Sequence, residues 1–142
     1  MKITVDLHES IVNMIPGVPP ETGGILGERN GVICAVVFDE GDIQNERYAY
    51  IPNVERLNEV ISQWASEGIR FAGMFHSHPG KQEELSIADK SYIQRIMKFT
   101  PDAVHALHFP IVLPGKKMVG HIAEKVDGQV MMTQEQIIIE KE

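Results

Sequence analysis

The sequence predicts a single α+β or α/β sandwich built around one sheet, and three observations carry that expectation. Strand-like apolar segments lie before, between and after two helix-like segments. Turn residues (Asn-Gly, Pro-Gly and Asp-Gly pairs) fall between them. No repeat, low-complexity tract or linker interrupts the 142 residues, so one domain over 1–142 is the simplest organisation.

Residues 6–15 space Leu7, Ile11, Met14 and Ile15 as one helical face, and Pro16-Gly17-Val18-Pro19-Pro20 ends the helix because proline cannot continue its ladder. Gly24 to Glu28 and Val32 to Asp39 are apolar runs joined through Asn30-Gly31, a hairpin signal since both residues tolerate positive φ. A turn at 39–42 leads to an expected strand around Arg47 to Ile51. Asn53 is a good N-cap for a helix carrying Leu57, Ile61 and Trp64 on one face, and Gly68 suits its C-terminal end. Ile69 to His78 reads as a strand that stops at Pro79-Gly80. A second main helix runs from Ile87 to about Phe99, before Thr100-Pro101. Ala106 to Leu113, Lys117 to Val126 and Gln129 to Met132 are further strands, separated by Pro114-Gly115 and Asp127-Gly128. The tail 134–142 contains Ile137-Ile138-Ile139 and suits either an edge strand or a partner contact.

Composition excludes several function classes. Thirteen basic against 20 acidic residues give a net charge of −7, which offers no cationic footprint for nucleic acid or an anionic membrane. The longest apolar run, Val32 to Phe38, is far short of the roughly 20 residues of a membrane span, and the first residues lack the apolar core of a signal peptide. One cysteine, Cys34, permits no internal disulfide, so a reducing, cytoplasmic setting is expected. Cys34 itself is expected to be a buried small hydrophobe.

Chemistry concentrates in FHSHPGKQEELSIADK, residues 75–90. On a strand His76 and His78 project from the same face about 7 Å apart, so their imidazoles can converge on one metal ion while Ser77 points the other way. The break at Pro79-Gly80 puts the pair at a strand end, where a cleft can open. Ser86 and Asp89 have the spacing of a helix N-cap and its acidic N3 partner. Asp89 also shares a helix face with Ile93, Ile96 and Met97, and a carboxylate there is costly without a partner. A metal held by the two histidines would supply one. Two His and one Asp leave a tetrahedral zinc with one open position, the mark of a catalytic rather than a structural site.

His76-Ser77-His78, seven residues, Ser86, two residues, Asp89 resembles the metal signature of the JAB/MPN (JAMM) zinc metalloproteases. The stretch PPETGGILGE, residues 19–28, is similar to that family's upstream glutamate and glycine-containing strand, with Glu21 at the glutamate position. The likeness spans about residues 5–130. It implies a cytidine-deaminase-like sandwich, with a curved, mostly antiparallel sheet flanked by two or three helices. It also implies one Zn2+ per chain on His76, His78 and Asp89, with Glu21 as general base and Ser86 as hydrogen-bond donor to the oxyanion. The reaction implied is hydrolysis of an amide or isopeptide bond at the C-terminal tail of a ubiquitin-like or sulfur-carrier protein, or of a peptide substrate. The compact chain is most like the small single-domain prokaryotic members, and a homodimer is compatible with it.

Two other readings remain open: a hydrolase of small peptide or cell-wall substrates, and a non-catalytic scaffold. His8, His105, His108 and His121 have no partner at ligand spacing and suit surface or satisfied-core roles. Ser77 is expected to be structural, supporting the ligands beside it.

Overall fold

The computed structural model describes residues 1–15, 22–39 and 54–141. The expected strand at 47–51, the Asn53 cap and Glu21 lie outside the described residues. The chain runs β1 (Lys2–Thr4), α1 (Val5–Met14), β2 (Gly23–Arg29), β3 (Val32–Asp39), α2 (Val54–Ser66), β4 (Arg70–Ser77) and α3 (Ile87–Phe99). It continues with β5 (Ala106–His108), β6 (Ile111–Leu113), β7 (Lys117–Val126), β8 (Gln129–Glu135) and β9 (Ile138–Glu140).

The described strands form one nine-stranded sheet in the order β5-β7-β6-β4-β2-β3-β1-β9, with β8 on β7 and β5 also touching β4. The hairpins β2–β3 and β7–β8 are antiparallel and turn at Asn30-Gly31 and Asp127-Gly128, where the backbone takes positive φ. Four pairings are parallel: β1 with β3 and β9, and β4 with β5 and β6.

This corrects the expected fold class. The layered α+β or α/β sandwich, and the mostly antiparallel cytidine-deaminase-like sheet, give way to a strand-dominated mixed sheet with three helices among the described residues. The cause is local. The strands β1 and β9 have three residues each, too few to show alternation, and they add two parallel ladders at one edge. The expected strand 106–113 splits at Phe109-Pro110, because proline has no N–H to donate, and its halves both run parallel to β4. The tail therefore resolves as an edge strand, with Ile138 and Ile139 still partly exposed. Within the described residues, no helix is long and apolar enough to cross a membrane.

Period-two alternation divides the core between the faces of the sheet. Ile25 and Met74 face α2 and α3, packing in one cluster with Leu57, Trp64, Ile93 and Met97. Their neighbours Leu26 and Phe75 join Ile11, Val12 and Ile15 of the α1 segment. Cys34 is exposed rather than buried, since on β3 it is Ile33 that turns into the core. Glu135 of β8 binds His108 and the Met1 amino group. Burial pushes the Glu135 carboxyl up, but those two partners outweigh it and hold it below its ordinary range.

The approach of β5 to β4 depends on Gly73. Its φ is +145°, and a Cβ there would lie 1.8 Å from the His108 carbonyl oxygen. Gly115 also has positive φ, but a Cβ on it would meet nothing within 4 Å. Gly73→Ala is therefore expected to cost more than about 3 kcal/mol, or to prevent folding, against roughly 1 kcal/mol for Gly115→Ala, as read by chemical denaturation. Equal costs would show that β5 and β4 do not depend on this contact.

Candidate metal centre

Two elements present the site. The strand β4 runs parallel to β6, with His76 opposite Ile111 and Ser77 opposite Val112, and the His78 N–H donates to the Val112 carbonyl at 3.1 Å. The helix α3 begins with a complete capping box: Ser86 Oγ accepts from the Asp89 N–H at 3.0 Å, and Asp89 Oδ2 accepts from the Ser86 N–H at 2.8 Å. The expected cap is thus the device that aims Asp89 at the end of β4.

The three expected ligand atoms converge. His76 Nε2 and His78 Nε2 are 2.8 Å apart, His78 Nε2 lies 3.0 Å from Asp89 Oδ2, and His76 Nε2 lies 3.2 Å from it. Ligand atoms around a tetrahedral zinc, with bonds of about 2.0–2.1 Å, stand about 3.3–3.4 Å apart. The observed sides of 2.8, 3.0 and 3.2 Å are somewhat shorter, so a bound ion would spread the three atoms slightly. His78 is buried, and His76 and Asp89 are partly so, which suits a centre open on one side.

Proton accounting shows that the donor set fits a cation. His78 Nδ1 faces the Gln82 carbonyl oxygen at 3.1 Å. A carbonyl only accepts, so in the neutral ring Nδ1 carries the proton and Nε2 carries the lone pair. That lone pair points at a carboxylate oxygen. A single proton on His76 Nε2 cannot bridge the three atoms, and a metal ion held there would relieve the remaining repulsion. Burial pushes the Asp89 carboxyl up, but the His76 and His78 imidazoles beside it and the bond from the Ser86 N–H hold it well below the usual carboxylate range. Asp89 is therefore anionic across the working pH range.

Surrounding groups hold the loop 79–86 that carries Gln82. His121 Nε2 donates to the Glu83 carbonyl at 2.8 Å, Lys117 pairs with the Glu83 carboxylate at 3.0 Å, and Gln134 donates to Glu84 at 2.9 Å. His121 is thus a satisfied core histidine, as its spacing suggests, but one that fixes the loop behind His78. The Gln82 contact is through backbone, so no residue type marks it in the sequence. Glu83 and Glu84 do more than hold solvent, because both tie the loop to the sheet.

Ser77 is fully buried, between the two histidines. Its N–H donates to the Thr22 carbonyl at 2.7 Å and its hydroxyl accepts from the Thr22 N–H at 3.0 Å. This double link bears out a structural role for Ser77. It joins β4 to the residue that follows Glu21 in the chain. The Thr22 hydroxyl is buried with no partner among the described residues. Across β2, Gly23 stands opposite His76.

No protein-family model matches the chain, and no curated protein matches it. Solved structures do. The solution structure of a protein from Desulfitobacterium hafniense is 22% identical, with a TM-score of 0.65, over 99% of this chain and 93% of that one. That of a protein from Salinibacter ruber is 17% identical, with a TM-score of 0.56, over 99% of this chain and 92% of that one. At such identities the likeness shows a shared fold, and the chemistry rests on the residues of this chain.

The geometry gives a direct expectation for metal binding. Zinc at a hundredfold excess over its dissociation constant should stabilise the apoprotein by about 2.7 kcal/mol, reversibly by chelator. His78→Ala should abolish that gain. Ser86→Ala should keep it, with zinc affinity about tenfold lower and stability about 1 kcal/mol lower through loss of the cap. Calorimetric titration and thermal unfolding read both. An undiminished zinc effect in His78→Ala would place the ion elsewhere.

Proposed function

We propose that this chain is a zinc-dependent peptidase or isopeptidase of the JAMM type. Its expected substrate is an amide bond at the C-terminal tail of a ubiquitin-like or sulfur-carrier protein. One observation carries the reading: His76 Nε2, His78 Nε2 and Asp89 Oδ2 converge while the Gln82 carbonyl holds the His78 proton on the far side of the ring.

Zinc held by these three residues would supply a Lewis acid for the scissile carbonyl and a water acidic enough to ionise near neutral pH. The chain's own groups do the rest. Glu21 is assigned the proton of the attacking water and its return to the leaving nitrogen. Support for that assignment is its sequence position: the next residue, Thr22, is tied to Ser77 in the middle of the His-Ser-His segment. Ser86 is assigned the oxyanion. Its oxygen accepts from the Asp89 N–H, and a hydroxyl that accepts still has its own proton to donate. Cap and oxyanion donor are therefore compatible duties, and Ser86 is exposed at the mouth of the centre. Such a donor is worth about 10²–10³ in rate.

Glu21→Gln separates the roles. The variant should bind zinc as the wild type does, while hydrolysis of peptide amides and ubiquitin-like conjugates falls about 10²–10⁴-fold. Elemental analysis and turnover on the same preparation read the two quantities. Full activity in Glu21→Gln would remove the glutamate from the mechanism. Stoichiometric zinc with no hydrolysis of any amide by the wild type would remove the peptidase reading.

A further inference from the structure

A second feature adjoins the metal centre. Between the sheet and the facing sides of α2 and α3 lies a cavity of about 380 Å³. Ile25 and Met74 form its floor, Leu57 and Ile61 one wall, and Tyr92 and Ile96 the other. Apart from Asn58, Arg95, Thr100 and the Tyr92 hydroxyl, its lining is apolar. Burial pushes the Tyr92 phenol up to about 12, so it stays neutral, and its hydroxyl lies 3.9 Å from Met74 Sδ. Phe99, 81% exposed, stands at the rim as a large apolar group turned to solvent.

The cavity and the metal centre share both elements. On the sheet, Gly23 pairs with His76 and Ile25 with Met74, so the floor lies two residues, about 7 Å, along the same face from a metal ligand. On α3, Tyr92 and Ile96 follow Asp89 by three and seven residues and extend the side of the helix that carries it. Arg95 lies about 9 Å along the helix from Asp89. It is exposed at the cavity edge, its guanidinium 5.9 Å from the Tyr92 ring, and it makes no ion pair among the described residues. In a chain of net charge −7, this places a cation with no ion pair among the described residues beside an apolar cavity.

We propose that the cavity seats the bulky apolar side chain of a C-terminal residue whose free α-carboxylate binds Arg95, so that the enzyme releases terminal residues. This rests on the hydrolase reading above and names its substrate class. The dimensions agree. With the scissile carbonyl at the metal centre, the carboxylate of the leaving residue lies one residue further, about 3.5 Å of extended chain, within the span of an arginine side chain. The volume accommodates a phenylalanine or larger side chain, and guanidinium and carboxylate match as a forked ion pair. In the reaction the amide C–N bond breaks and the water oxygen joins the acyl carbon. The acyl product leaves as a carboxylate, and the leaving nitrogen gains its protons from the water. A longer chain continuing past the leaving residue would have no carboxylate for Arg95.

Ligand binding tests this apart from turnover. The probes are N-acetyl-phenylalanine, its amide and N-acetyl-alanine, titrated into methyl-labelled protein with and without zinc and followed by NMR. The acid should shift the methyls of Ile25, Leu57, Ile61, Met74 and Ile96, and bind at least tenfold more tightly than either other probe. Arg95→Gln, a change at an exposed position, should weaken the acid about tenfold and leave the amide unchanged. Equal binding of acid and amide, indifference of the acid to Arg95→Gln, absence of binding, or shifts away from these methyls would each overturn the proposal. If the acid binds as described but no amide is hydrolysed, the cavity assignment stands and the hydrolase reading falls.

Discussion

His78 in its neutral form has one ring proton, and the Gln82 carbonyl accepts a hydrogen bond from it. The lone pair on the opposite nitrogen must then face Asp89 and His76, and three electron-rich atoms are held within about hydrogen-bonding distance of each other. Folding does not place lone pairs against one another without compensation, because the repulsion is largest where water is excluded. The local architecture serves this arrangement. His121 and Lys117 hold the loop that bears the carbonyl, the capping box of α3 turns Asp89 inward, and parallel pairing with β6 fixes the end of β4. Each group is ordinary alone. Together they bring three ligand atoms to one point that could hold a cation.

The grouping of His76, His78 and Asp89 was legible in the sequence because its determinants are local. His76 and His78 alternate with a buried serine on a strand that Pro79-Gly80 must end, and Ser86 and Asp89 are spaced as a capping box whatever else they do. The two readings of Asp89, as cap and as ligand, are one geometry: capping uses the Ser86 N–H on Oδ2 and leaves that oxygen facing the histidines. What stayed hidden was supplied by backbone or by distance. The Gln82 carbonyl has no side-chain signature. His121 reaches Glu83 across 38 residues of chain, a pairing that spacing cannot show. Arg95 and Tyr92 carry no sequence signal of their own, and α2 stands opposite them across a cavity.

The fold was legible in its elements and misread in its class. The helices α1 and α3, the β2–β3 hairpin and the strand β4 fall within one or two residues of their apolar periodicities, since each is set by local pattern and turn chemistry, and β8 runs three residues past its expected end to Glu135. Sheet order is not local. The three-residue strands β1 and β9 owe their existence to parallel neighbours, and β5 owes its place to the missing side chain of Gly73. Parallel pairing is chosen by the whole sheet, so a reading from turns inclines toward antiparallel neighbours and helical layers. The same mixed sheet positions the candidate site: β4 stands at its interior, with β2 on one side and β6 fixing the histidine backbone on the other.

The central claim is that these three side chains hold one metal ion, and X-ray absorption at the zinc edge on the zinc-loaded protein tests it most directly. The account predicts one zinc per chain, a shell of nitrogen and oxygen at about 2.0–2.1 Å, and the multiple-scattering pattern of two imidazoles that disappears with His76 and His78. Failure to retain stoichiometric zinc, a sulfur neighbour at about 2.3 Å, or a shell without imidazole scattering would contradict it.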